Sequence, residues 1–162
     1  MTQTVTVRFT TVRILNDSDK MSAGDVGFRF FVAPATAESA SCNPSTACES
    51  GFFGRAWETG QSHPLGDVLT LAPSPGRIRV WVKGWDSDVR EDAAFDRIGP
   101  GGASYTSTGG SSSLGDWNFV KREFDTGASP TQTRIGYPFR LRSIDGSVFM
   151  FEIEGHVEVV RQ

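Results

Sequence analysis

Apolar and polar residues alternate one by one along much of this chain, and this pattern limits the folds open to it. Near the C-terminus, Phe149, Phe151 and Ile153 share one face, while Glu152 and Glu154 share the other. Such alternation is typical of β-strands that bury one face. The clearest stretches are 4–15, 26–32, 77–85 and 149–159, and weaker ones are 51–57, 67–72, 116–124 and 135–143. No segment has convincing amphipathic-helix spacing, so we predict an all-β protein, an eight-stranded antiparallel β-sandwich.

Two local signals refine this prediction. The apolar phase of the first strand changes between Phe9 and Val12, which indicates a β-bulge near Thr10. The dipeptide Asp145-Gly146 lies between the last two alternating stretches. This dipeptide is a strong signal for a tight hairpin, so we expect those two strands to pair.

The chain has 162 residues, which is the length of one domain. No change in composition and no internal repeat divides it, so we expect a single sandwich domain over 1–162. Two stretches interrupt the regular strand spacing: 34–50 is rich in Ala, Ser and Pro, and 99–115 is mostly Gly and Ser. We predict that both are long loops.

Composition and missing motifs exclude several functional classes. A formal net charge of −3 argues against nucleic acid as the main partner. The apolar runs are too short for a transmembrane segment, and the N-terminus lacks a secretory apolar core. We therefore expect a cytoplasmic or peripheral-membrane location, and the alternative is that the sequence is that of an already mature chain. The sequence has no common nucleophile, phosphate-loop or zinc motif, so we expect no enzyme activity. Cys42 and Cys48 could form a disulfide, and the sequence leaves this open.

Acidic residues are concentrated in two segments that each follow or precede a well-patterned strand. The segments 16–25 and 85–99 hold seven aspartates and one glutamate of the 19 acidic residues in the chain. If both lie at the same end of the sandwich, a hard divalent cation would offset their repulsion, and Ca²⁺ accepts six to eight oxygen ligands. The alternative is that these residues only cap turns. The candidate ligands are Asp17, Asp19, Asp25, Asp86, Asp88, Asp92 and Asp96.

An EF-hand does not fit the second acidic segment. When the loop is counted from Asp86, its sixth position is Glu91 instead of the required Gly. No helix is predicted on either side of it.

Three motifs resemble those of the C2 domain family, calcium-dependent β-sandwiches of eight strands. Asp19-x5-Asp25 followed by a strand resembles the first calcium loop of that family. The segment 62–71 is similar to the family's turn and following strand. The run Trp85-Asp86-Ser87-Asp88, which leads to Asp96-Arg97-Ile98-Gly99, resembles the third loop.

The resemblance implies a C2-like fold and a function. The calcium ligands would be Asp19, Asp25, Asp86, Asp88 and Asp96, with Asp92 as the alternative to Asp96. Calcium would neutralise the carboxylate charge at this end of the sandwich and make the segments 16–25 and 86–96 rigid. It would thereby switch on binding of an anionic phospholipid surface or a protein partner. The implied protein is a non-enzymatic calcium-binding module.

A second candidate surface is the outer row of the strand 77–85. This row interleaves cationic side chains with indoles, a combination that can bind lipid phosphates, acidic partners or sugars. The alternative is cross-strand pairing with Glu152, Glu154 and Glu158. The residues of the row are Arg77, Arg79, Trp81, Lys83 and Trp85.

Two other functions stay open at the level of sequence. The chain could be a structural, assembly or adhesion module, such as a jelly-roll subunit, in which calcium is structural or absent. It could also be a carbohydrate-binding module that presents Trp57, Trp81 and Trp85 on a flat aromatic face.

Overall fold

The structure is a computed structural model of the chain. It describes residues 2–17, 26–36, 50–53, 57–87, 110–112, 115–127, 131–145 and 149–162.

The described residues form ten strands, numbered β1 to β10 in chain order. Their bounds are Gln3–Asp17, Val26–Pro34, Ser50–Phe53, Ser62–Pro64, Val68–Leu71, Arg77–Ser87, Gly110–Ser112, Gly115–Asp125, Arg134–Arg142 and Phe149–Arg161. All eight predicted strands are present. The predicted loop 99–115 is wrong in part, because it contains β7, and neither β4 nor β7 was predicted. Each has only three residues, too few for alternation to be recognised.

The strands form two antiparallel sheets. Sheet I has the order β4, β1, β10, β9, and β5 pairs with β1 on the same edge as β4. Sheet II has the order β3, β2, β6, β8, β7. Because β4 and β5 occupy one strand position, each sheet has four main strands once the short β7 is set aside. The predicted eight-stranded antiparallel β-sandwich is therefore confirmed.

The core lies between the inner faces of the two sheets. Phe9 of sheet I and Phe30 of sheet II stack with ring centroids 4.4 Å apart. Phe28 meets Phe151 edge to face at 4.9 Å. These side chains are at most 1% exposed, and burying each contributes about 2–3 kcal/mol relative to leaving it in water.

Two further sequence predictions are met in sheet I. The register between β1 and β10 shifts between Phe9 and Thr11, which is the predicted bulge. β9 and β10 pair antiparallel across the segment that contains Asp145, as the hairpin signal indicated.

Candidate functional site

Asp17 ends β1 on the inner face of sheet I. A second register shift, between Ile14 and Asn16, places Asp17 opposite the fully buried Phe149. Directly paired residues point to the same side of a sheet, so Asp17 continues the core row and is only 9% exposed. Its amide donates a hydrogen bond to Thr59 Oγ1, and its Oδ2 accepts one from the Thr59 amide, both at 3.1 Å. These bonds fix the carboxylate against the turn before β4.

Asp86 is the counterpart of Asp17 on sheet II. The even-numbered residues of β6 form its inner row, which begins with the buried Ile78, Val80 and Val82. Asp86 continues this row opposite the fully buried Val26 of β2 and is 5% exposed. The same period-two rule that buries the valines therefore directs this carboxylate inward.

Contacts between the sheets place the two aspartates at the same end of the sandwich. Asn118 of β8, which is opposite Gly84, donates a hydrogen bond of 2.9 Å to the carbonyl of Phe149, the residue opposite Asp17. The rings of Phe28 and Phe149 also meet across the core, with centroids 6.2 Å apart. Since Gly84 precedes Asp86 by two residues, both carboxylates lie on the inner rim of one pole.

The other predicted metal ligands lie outside the described residues. They are Asp19, Asp25, Asp88, Asp92 and Asp96, and Cys42 and Cys48 also lie outside this part of the chain. Within the described ranges, no group of three or more His, Cys, Asp and Glu residues is placed to hold a metal ion. The structure thus brings two of the seven predicted residues to one rim and leaves the rest of the ligand set a prediction.

The predicted exposed row on β6 is corrected by the structure. Trp81, Lys83 and Trp85 are at most 2% exposed, so they cannot meet a partner in this conformation. Only Arg77 and Arg79, at the far end of the strand, have side chains exposed to solvent, 65% and 20% respectively. Period two identifies the face of a strand but cannot show whether that face is covered.

Lys83 is a buried cation within this outer row. Its Nζ lies 4.9 Å from the ring centroid of Trp117, which is a cation–π distance. Burial, and secondarily the nearby Arg29 guanidinium, lowers the pKa of Lys83 to about 7. A cation held under these conditions titrates near neutral pH.

The proposed pairing between the β6 cations and the β10 glutamates is also wrong. Arg77 and Arg79 instead bind Glu123 on β8, which is the neighbour of β6 in sheet II. The hydrogen bond from Arg79 is the main cause that lowers the pKa of Glu123. The β10 glutamates lie in sheet I and pair with β9, as in the Arg134–Glu158 bridge of 3.0 Å.

The tryptophans of the carbohydrate hypothesis do not form an exposed platform. Trp81 and Trp85 are buried, and Trp57 stacks on His63 with centroids 3.9 Å apart and an interplanar angle of 8°. The Nε2 atom of His63 is buried without a hydrogen-bond partner, and burial lowers the pKa of this imidazole. The pair therefore fills the inner side of the β4 edge, and the alternation pattern gave no signal for it.

No helix among the described residues is long and apolar enough to cross a membrane. No protein-family model and no curated protein sequence matches this chain.

Solved structures similar to this chain include several C2 domains. A structure described as that of a C2 domain is 10% identical, with a TM-score of 0.49, over 99% of this chain and 100% of that one. The A copy of the C2 domain of plant Extended Synaptotagmin 1 is 9% identical, with a TM-score of 0.44, and the match covers 98% of this chain and 92% of that one.

A third similar structure contains both the A and the B copies of the C2 domain of Extended-Synaptotagmin 2, in a calcium-bound form. It is 10% identical, with a TM-score of 0.46, and the match covers 98% of this chain and 45% of that one. All three of these structures contain C2 domains, and none is more than 10% identical to this chain in sequence.

Proposed function

We propose that this protein is a non-enzymatic module that binds Ca²⁺ at the pole containing Asp17 and Asp86, and that calcium promotes its binding to an anionic surface. The observation that supports this proposal most directly is the inward orientation of both aspartates on one rim. Their side chains continue the core rows of opposite sheets, and each is less than a tenth exposed.

The chemistry of the donors fits calcium better than other common metals. The two described side chains provide carboxylate oxygens, which are the hard donors that Ca²⁺ prefers, whereas zinc favours thiolate and imidazole ligands. The described residues of the two acidic segments, 16–17 and 85–87, also lie at this pole. Asp19, Asp25, Asp88, Asp92 and Asp96 are the proposed source of the remaining oxygen ligands.

Calcium would change the electrostatics of this pole. Two carboxylates that are largely removed from water repel each other and repel any anionic surface. A bound divalent cation offsets this charge and presents positive charge at the end of the sandwich. Anionic phospholipid headgroups or acidic protein segments then become favourable partners.

Calorimetric titration with CaCl₂ tests the proposed metal site. The parent protein should bind calcium with measurable heat, and Asp86→Asn, which keeps the side-chain shape, should weaken binding at least tenfold. Asp125→Asn is the matched control, because Asp125 lies at the opposite end of sheet II, where its strand position is opposite Arg77. Absence of heat at millimolar calcium would overturn the calcium proposal.

Vesicle sedimentation separates the proposed function from an assembly or adhesion module. Vesicles with 30% phosphatidylserine should pellet the protein in calcium and release it in chelator. Concentration-dependent oligomers with no vesicle binding in either condition would favour the assembly module instead.

A further inference from the structure

The outer face of sheet I carries a grid of polar side chains. Strand register produces it, because Arg13 of β1 lies opposite both Ser62 of β4 and Glu152 of β10. The neighbouring row is built in the same way, with Glu154 opposite both Thr11 and Arg140. Four adjacent strands thus contribute side chains to one small area.

This area contains a recess of about 180 Å³. Its lining consists entirely of side chains that donate or accept hydrogen bonds: Thr11, Arg13, Ser62, Arg140, Glu152 and Glu154.

The charges in the recess cancel, since two arginines face two glutamates. A ligand with net charge would therefore gain little from binding here, whereas a neutral ligand that both donates and accepts hydrogen bonds would match the lining. The carboxylates are also held in place. Arg140 Nη2 donates to Glu154 Oε1 at 2.7 Å, and Arg140 Nε lies 3.5 Å from Glu152 Oε1.

A larger recess adjoins the first one. It has a volume of about 500 Å³ and shares Arg140 and Glu154 with its neighbour. It adds Arg122, Pro138 and Phe139 to the lining, among others, so that a third guanidinium group and apolar surface both lie next to the polar grid. A ligand longer than one ring could extend across the shared ion pair into this second recess.

We propose that this face binds a neutral polyhydroxylated ligand, such as a neutral oligosaccharide. Vicinal hydroxyl groups donate to the Glu152 and Glu154 carboxylates and accept from the Arg13 and Arg140 guanidinium groups, which present planar pairs of hydrogen-bonding atoms. The site lies on the sheet I face and does not depend on the calcium proposal.

A glycan array of neutral and charged oligosaccharides, probed in chelator, tests this proposal. A neutral glycan should be retained, and a ¹H–¹⁵N titration with it should shift the amides around Arg13 and Glu154. Arg13→Gln and Glu152→Gln should each lower its affinity at least tenfold. Arg134→Gln is the matched control, because Arg134 lies on the same sheet at the other end of β9, where it pairs with Glu158.

The possible outcomes separate cleanly. Retention of a neutral glycan that is lost in the two variants and kept in the control supports the site. Retention of charged glycans only, no retention at all, or equal weakening by Arg134→Gln overturns it. Thermal melting of each variant shows that all are folded, and the control shares the loss of a surface arginine.

Discussion

Of the glycines that the structure describes, Gly155 has the least room for a side chain. A Cβ atom added there would lie 2.1 Å from the backbone oxygen of Arg8 and 2.6 Å from the Phe139 ring. The bulge in β1 brings the Arg8 carbonyl this close, since the register shift begins one residue later, after Phe9. The absence of a side chain at position 155 is therefore a condition for the bulge.

We predict that Gly155→Ala lowers the free energy of unfolding by ~3 kcal/mol or more, because backbone atoms must move to admit the methyl group. Gly136→Ala in β9 is the control, since a Cβ there meets no atom within 4 Å. That substitution should change stability by less than ~1 kcal/mol. Urea unfolding of both variants measures the difference, and equal losses would contradict this account of Gly155.

Lys83 makes the stability of the protein depend on pH above neutrality. Its pKa in the folded protein is about 7, against an ordinary value of 10.5. Between these two values the unfolded chain binds more protons than the folded chain, so the contribution of Lys83 to the free energy of unfolding rises with pH from about 7 to about 10.5. Below pH 7 the cost of burying the charge is present in full.

Between pH 7 and pH 10.5, Lys83 should make the free energy of unfolding rise with pH by up to ~1.4 kcal/mol per pH unit. We predict that Lys83→Met removes this rise. Urea unfolding at pH 7, 8 and 9 measures the slope. Lys121→Met is the control, because Lys121 is exposed on the neighbouring strand β8. A parent slope retained in Lys83→Met would show that another group titrates in this range.

At the scale of the strand, β9 is the outermost strand of sheet I among the described residues, and Pro138 lies in its middle. The Arg161 amide donates to Thr133 O and the Ser143 amide to Phe151 O, so the odd-numbered positions of β9 carry its hydrogen bonds to β10. The amides of even-numbered residues therefore point to the open edge. Pro138 removes one donor from that edge without losing a bond within the sheet, which protects against edge-to-edge association.

We predict that Pro138→Val increases self-association, because it completes the row of outward amides between Arg134 and Arg142. Sedimentation velocity over a concentration series should show dimers or larger species that the parent protein lacks at the same concentrations. Adding Gly136→Pro to the valine variant again removes one outward N–H donor from the same edge, and this second substitution should reverse the effect. Association that persists in the double variant would place the new contact elsewhere.

Strand-level patterns also explain which predictions the sequence could support. Alternation identified the inner rows correctly, because Val80, Val82 and the apolar residues of β10 face the core in both the pattern and the structure. It could not show which strands are neighbours. For this reason the predicted pairing with the β10 glutamates was wrong, and Arg79 binds Glu123 of the neighbouring strand instead. Nor could alternation predict that Trp81 and Lys83 are buried, because their burial depends on what covers the outer face.

In the candidate site, too, the sequence pattern could predict the orientation of one aspartate but not that of the other. Asp86 was predictable as an inward residue because it keeps the phase of Val82 and Gly84. Asp17 was not, because the second register shift in β1 changes the phase just before it. That both lie on one pole depends on contacts between sheets, such as Asn118 with Phe149, which local patterns do not encode.

At the scale of the molecule, Asp17 and Asp86 belong to different sheets, so an ion shared between them would tie the two layers together at one pole. Calcium that binds the folded but not the unfolded chain raises the free energy of unfolding by about 2.7 kcal/mol at a free concentration 100 times Kd. For a domain of this size, we predict a rise in Tm of about 5–10 °C. Asp125→Asn should keep this rise.

Asp17→Asn and Asp86→Asn should each lose most of the calcium-induced rise in Tm, and the double variant should lose little more than either single one. Such non-additivity is expected because one missing ligand already removes the ion that both residues share. Calorimetric scans of the four proteins in calcium and in chelator measure the cycle. Losses that add fully would mean that the two carboxylates act on separate ions, and the sheets would then be stabilised independently rather than through one shared site.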